Sequence, residues 1–250
     1  MEILRSILKS IKEDAPVQEV RRGIYWTAVV SRRCGLASTT AMGCCNNGAT
    51  GGMEGSFADM TALELAHYCL DDDTAKASLG LAAVNSLLDV SPDSYTDADG
   101  LQIVKEMCKG KKVSVIGHFP FLDDIAREAG NLWVIEKQPR PGDYPEERGK
   151  DFLPQSDIVV ISSTTLINKT LPGILRLCRE GSVKMLLGPT TPLAEVLFEC
   201  GIDILAGSVV TEKEVVLRSV SEGATFMRLK RRGGIRFVSI IKDTVRLTKT

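Results

Sequence analysis

The chain has 250 residues, 44% of them hydrophobic and 25% charged, with a formal net charge of −1. This is the composition of a globular protein of one large or two small domains, and so even a charge balance offers no global field for nucleic acid or anionic membranes. No segment approaches the roughly 20 consecutive apolar residues of a membrane-spanning helix. Seven cysteines with no CxxC pair argue against a disulfide framework or a regular zinc site, and for a reduced, cytoplasmic setting.

At the amino end, Ile3, Leu4, Ile7, Leu8 and Ile11 recur at helical spacing, which predicts an amphipathic helix ending before Pro16 and not a signal peptide. Residues 17–21, 24–31 and 35–39 read as strands, the second built from the aromatic and β-branched run that begins Tyr25-Trp26-Thr27. With Arg22-Gly23 as the turn, they form an antiparallel meander. Residues 42–56 hold five glycines and read as a long loop, with a soft-metal site at Cys44-Cys45-Asn46 as the alternative. A capping box, Thr61 with Glu64, opens a helix running to about Leu70. Asp73 caps another, alanine-rich, to about Leu88. Turn residues from Ser91 to Gly100 read as a linker, followed by a helix to Cys108. The boundary is expected near residue 95: an α+β domain over 1–95, then an α/β domain over 96–250. Cys69, Cys108, Cys178 and Cys200 fall in apolar helical patterns and read as buried small hydrophobes.

The second half repeats one pattern three times: an apolar strand, a polar turn, a proline and a helix. The turns are Gly117-His118-Phe119-Pro120, Ser162-Ser163-Thr164-Thr165 leading to Asn168 and Pro172, and Gly188-Pro189-Thr190-Thr191-Pro192. Proline suits a first helical turn, and the helices are expected to stop at Gly130, Gly181 and Gly201. Strands are predicted at 113–117, 132–136, 158–162, 183–187, 203–205 and 235–241. Uninterrupted apolar strands alternating with helices imply a mainly parallel sheet with helices on both faces. In such sheets ligands bind beyond the carboxyl ends of the strands, so the three turns should share one rim.

His118, one of two histidines, is the candidate acid/base on that rim, with a backbone-bonded loop histidine as the plain alternative. Gly117 stands alone where a dinucleotide fold carries three glycines, so a pyrophosphate cradle is not expected. Glu136 ends the second parallel strand, where Rossmann domains hold a ribose diol; a solvated glutamate is the alternative. Thr164, Thr165 and Asn168 can orient a ligand by hydrogen bonds. Thr191 is placed as an N-cap with Pro192 at N1, which makes Gly188 to Thr191 a candidate anion site. Asp143, Glu146 and Glu147 read as solvated loop acids. The run Lys230-Arg231-Arg232 reads as a helix end whose cations complement the dipole.

Taken together, Gly-His-Phe-Pro-Phe at 117–121, Ser-Ser-Thr-Thr-Leu-Ile-Asn at 162–168, Gly-Pro-Thr-Thr-Pro-Leu at 188–193 and Gly-Ile-Asp-Ile-Leu-Ala-Gly-Ser at 201–208 resemble the signature segments of the putative heavy-metal chelation family. Gly35-Leu36-Ala37 and Ala83-Val84-Asn85 are similar to its amino-terminal part. The resemblance implies an enolase-N-terminal-like α+β domain, a Rossmann-like domain and a site between them. It points to Gly117, His118, Thr164, Thr165, Asn168, Gly188, Thr190 and Asn85; Phe119, Pro189 and Thr191 adjoin these in the same turns. It also implies a link to metal uptake and a small-molecule ligand of pterin, flavin or siderophore type.

The leading expectation is an enzyme on a small heterocyclic or chelating molecule. The alternatives are a non-catalytic carrier of a metal or metal chelate, and an S-adenosylmethionine-dependent methyltransferase-like enzyme using Glu136. No nucleic-acid partner is expected, and a homo-oligomer through the first helix is open.

Overall fold

The structure, a computed structural model, describes residues 1–40 and 56–245. The Cys44-Cys45 segment lies outside them. Helix α1 (Glu2–Ser10) buries Leu4, Ile7 and Leu8 as their spacing predicts. The meander follows: β1 (Glu19–Arg22), β2 (Trp26–Val30) and β3 (Cys34–Ser38) pair antiparallel, with Glu19 opposite Val30 and Trp26 opposite Ser38. α2 (Ala62–Ala66) opens on the expected capping box, with Glu64 N–H donating to Thr61 Oγ1 and Thr61 N–H to Glu64 Oε2.

α3 (Thr74–Leu87), capped by Asp73, is buried nearly all round. Two glycines permit this. A Cβ on Gly35 of β3 would lie 2.1 Å from Ala82 O, and one on Gly80 would lie 2.0 Å from Cys69 N. The helix therefore packs backbone to backbone on both sides.

Next come α4 (Gly100–Met107), β4 (Lys112–Ile116), α5 (Leu122–Glu128), β5 (Asn131–Glu136), the short β6 (Tyr144–Pro145) and α6 (Gly149–Phe152). β7 (Ile158–Ser162), α7 (Thr164–Ile167), α8 (Leu171–Leu177), β8 (Val183–Leu187), α9 (Val196–Glu199) and β9 (Ile204–Val210) continue the alternation. α10 (Lys213–Ser221), α11 (Phe226–Arg232) and β10 (Ile235–Ile241) complete the described chain. Seven strands form one sheet in the order β10-β9-β8-β7-β4-β5-β6, and the pairings from β9 through to β6 are parallel. Ile158 to Ile161 of β7 are buried on both faces of the sheet, as apolar runs in a covered parallel strand should be.

The amino ends of two strands are locked by the same device. Asp157, just before β7, donates its N–H to Lys112 O (2.8 Å) and accepts Lys112 N–H on Oδ2 (2.9 Å). Asp203, just before β9, repeats this with Lys184 at 2.8 and 2.9 Å. Each carboxylate supplies the ladder bond that a neighbouring strand would otherwise lack.

The result is a mixed α/β fold with a small antiparallel sheet and a large, mostly parallel one. The chain divides into two compact units, and the division is not a single cut. Residues 1–90 join 208–236 in one unit, and 91–207 join 237–250 in the other. In the first, Trp26, Ala28, Val30 and Leu36 share a core with Val216, Leu217, Val220 and Leu229. The second is built on Val113, Val115, Ile158, Val160, Met185 and Ile204.

Candidate functional site

In the order of the large sheet, the first three strands of the second unit run outward one way (β4, β5, β6) and the later ones the other way (β7, β8, β9, β10). This is the dinucleotide-fold order 3-2-1-4-5-6 with one more strand, and its direction reverses between β4 and β7. Ligands in open α/β sheets bind at that reversal, beyond the carboxyl ends.

The three polar turns stand there on consecutive strands. Each is held at a fixed height by one further ladder bond past its strand. Gly117 N–H donates to Ile135 O (2.9 Å), Ser163 N–H to Leu187 O (2.9 Å) and Gly188 N–H to Ala206 O (3.0 Å). Gly117 (φ 102°) and Gly188 (φ 128°) are in the left-handed region that favours glycine. A Cβ on Gly117 would sit 3.0 Å from Ser162 Cβ, and one on Gly188 would sit 3.0 Å from Ser163 Oγ. The two glycines thus close on the β7 turn from both sides.

His118 leaves this rim toward the loop after β5. Its Nδ1 lies 3.1 Å from Asp143 Oδ2. The same oxygen accepts Arg140 N–H at 3.0 Å, which pins it from the backbone side. The Asp143 side chain is only 6% exposed, against 28% for His118. Asp143 is therefore not the solvated loop acid its sequence setting predicts. Its neighbour Gly142 turns the chain at φ 96°, carrying the carboxylate back to the first turn. A carboxylate accepts only, so in the neutral imidazole the proton sits on Nδ1 and Nε2 keeps its lone pair. Asp143 is the residue that sequence reasoning missed. Any acid on the β5 loop was a candidate, because that loop also starts from the carboxyl rim.

The other expected residues divide by how far their groups are committed. Thr164 Oγ1 shares a 2.8 Å hydrogen bond with Ser162 Oγ and is half-buried. Thr165 is buried, its hydroxyl donating to Ser162 O (2.7 Å). Asn168 Oδ1 accepts both the N–H (3.2 Å) and the hydroxyl (2.7 Å) of Thr170, steering the chain through Lys169 (φ 62°) into α8. Phe119 stacks on Phe121 with ring centroids 5.1 Å apart. Glu136 is half-buried at the end of β5 and accepts Lys137 N–H (2.7 Å). Asn85 belongs to the first unit, where its amide donates to Leu36 O (2.9 Å).

The third turn departs from expectation. Thr191 is not an N-cap, because its N–H closes a turn on Gly188 O (2.9 Å) and the helix begins only at Val196, after Glu195. Pro189, Thr190 and Thr191 are buried, and Thr191 Oγ1 has no hydrogen-bond partner among the described residues. With Glu195 before α9 and Asp123 and Asp124 in the first turn of α5, these helix starts repel anions. Proline enters the first helical turn in only one of the three repeats, Pro172 of α8.

A directly bound metal would need three or four protein donors. Among the described residues no three His, Cys, Asp or Glu side chains gather as such a set. The donors there do not fit a bare ion held by protein alone.

Fold and site together define an α/β protein with polar turns meeting at the reversal point of a Rossmann-ordered sheet. The chain belongs to the putative heavy-metal chelation family. It matches that family over residues 99–239 and an amino-terminal family of the same description over 4–88. A crystallised DUF364-family protein of unknown function from Desulfitobacterium hafniense is 30% identical, with a TM-score of 0.82 over 96% of this chain and 98% of its own. One from Pyrococcus horikoshii, also of unknown function, is 18% identical and shares the fold, with a TM-score of 0.79 over 96% and 98%. An uncharacterized protein of Methanocaldococcus jannaschii is 26% identical over 165 residues, 63% of this chain. The match spans 64% of that relative's length, a little under two thirds.

Proposed function

We propose that this protein acts on a small, polar, heterocyclic or chelating molecule held over the β4–β7 reversal, with His118 moving a proton. The observation that carries the reading is the His118–Asp143 pair at 3.1 Å. An imidazole whose Nδ1–H is held by a buried carboxylate keeps Nε2 available as a base. The Ser162 and Thr164 hydroxyls are hydrogen-bonding groups suited to orienting such a molecule, and stacked Phe119 and Phe121 offer an apolar wall to a flat ring.

A second reading, a carrier of a preformed metal chelate, is favoured by one observation. The family is described by heavy-metal chelation, yet the described residues lack a three-donor set. A metal reaching this site would then be held through its organic ligand.

The test is native mass spectrometry with elemental analysis of freshly purified, untagged protein, followed by screening of pterins, flavin precursors and metallophores. The proposal expects an organic molecule, bound or turned over, whose conversion is lost in His118→Ala. Conversion unchanged in that variant would overturn the role of His118. Stoichiometric organic ligand and metal without conversion would favour the carrier.

A further inference from the structure

Among the described residues, the most exposed large hydrophobic side chains concentrate at one end of the first unit. Ile24 is 74% exposed, Met227 59% and Tyr25 47%. Ile24 and Tyr25 form the tip of the β1–β2 hairpin. Met227 lies in the first turn of α11, directly after the α10–α11 turn, and that turn is fastened to the hairpin. Trp26 Nε1–H donates to Ala224 O (2.9 Å), the Trp26 and Phe226 rings are 6.5 Å apart, and Arg21 reaches Ser221 Oγ (3.2 Å). Ile24 Cδ1 itself sits 3.5 Å from where a Cβ on Gly223 would be.

Their surroundings are basic. Arg22, Arg228 and Arg231 are exposed. The nearby acids are already neutralised: Glu19 pairs with Arg21, and Glu222 pairs with Arg218 (2.8 Å) and Arg232 (2.6 Å). In a chain of net charge −1 this is a local excess of cations around an apolar tip.

We infer that this end of the first unit docks on an anionic lipid surface, with Ile24, Tyr25 and Met227 entering the headgroup boundary and Arg22, Arg228 and Arg231 facing the lipid charge. The combination is that of interfacial binding, where apolar and aromatic side chains insert and flanking cations gain from the surface potential. A nucleic acid would use the cations but has no site for aliphatic Ile24 and Met227, since such interfaces are polar. A second copy of the chain across a two-fold axis would set like charges against each other.

The test is co-sedimentation of the full chain with vesicles of neutral phosphatidylcholine, with and without about a third phosphatidylserine. The inference expects binding to the anionic vesicles only, weakened by salt. Arg228→Gln with Arg231→Gln should weaken it about 25-fold, at roughly fivefold per cation. Ile24→Asp with Met227→Asp should reduce it to the level of neutral vesicles. All four positions are exposed, so unchanged thermal unfolding checks that the variants remain folded. Absence of binding, or equal binding to neutral vesicles, would overturn the inference. So would concentration-dependent dimerisation abolished by Ile24→Asp, or retention of a single-stranded oligonucleotide in place of vesicles.

Discussion

Asp143 Oδ2 holds His118 Nδ1 at 3.1 Å while accepting Arg140 N–H at 3.0 Å. One buried oxygen therefore ties His118, at the end of β4, to the loop that follows the next strand, β5. Its effect is to choose the imidazole tautomer. The chain has just two histidines, and His67 Nδ1 is itself engaged by Leu63 O at 2.8 Å. Nitrogen-15 NMR of the imidazoles should show both rings with the proton on Nδ1 at alkaline pH. Asp143→Ala should move His118 alone toward the Nε2–H form. A ring that keeps its tautomer would mean Asp143 does not position it.

Replacing His118 with Ala should cost on the order of 1 kcal/mol of stability, because the mostly buried Asp143 carboxylate loses one hydrogen bond but keeps the Arg140 N–H. Conversion of whatever molecule the screening finds should fall by about a hundredfold or more. Circular dichroism melting and turnover, measured together, separate the two effects.

Asp157 at the amino end of β7 predicts acid sensitivity. The Lys112 N–H, with help from Arg179, holds the Asp157 carboxyl below the usual carboxylate range, against a smaller opposing effect of burial. A depressed folded pKa contributes stability that is present above the unfolded value of about 3.9 and is lost as pH falls toward the folded one. Asp157→Asn should therefore flatten the fall in melting temperature below about pH 4. Asp157→Ala should cost about 1–2 kcal/mol at neutral pH, read by urea unfolding.

Gly35→Ala should be among the most damaging single-methyl changes in the chain. Its Cβ would meet Ala82 O at 2.1 Å and Ser86 N at 2.3 Å, backbone atoms that cannot swing aside. The expected cost is about 3 kcal/mol or more by urea unfolding. At Gly142 the same substitution meets nothing within 4 Å, so only the strain of φ 96° remains, roughly 1 kcal/mol.

Two thiols should be inert. Burial, reinforced by Glu19, pushes Cys34 up to about 12, and burial raises Cys178 to about 11. Iodoacetamide at pH 8 followed by peptide mapping should leave both unmodified in the folded protein and label both in urea.

Periodicity and turn chemistry placed nearly every strand and the capped helices at Thr61 and Asp73, because those signals are local. The rim was legible for the same reason: parallel strands send all their carboxyl-end turns one way. Thr191 was misread because Pro192 after a threonine has the appearance of a helix start. In the structure residues 191–194 form no regular element, and α9 begins only at Val196. Asp143 was misread because its burial depends on a partner 25 residues away, which no local pattern encodes. The return of residues 208–236 to the amino-terminal unit was invisible for the same reason.

That return has a consequence for synthesis. Val216, Leu217, Val220 and Leu229 cover the sheet face carrying Trp26, Val30 and Leu36, and they leave the ribosome only after the whole of 91–207. At about 5–20 residues per second the wait is on the order of ten seconds. During it the first unit offers an uncovered apolar sheet face while most of the large sheet is being made, β10 excepted. The amino-terminal unit, first to be begun, thus stays incomplete until residue 236, and a nascent chain stalled before residue 208 is the form most exposed to chaperones and proteases.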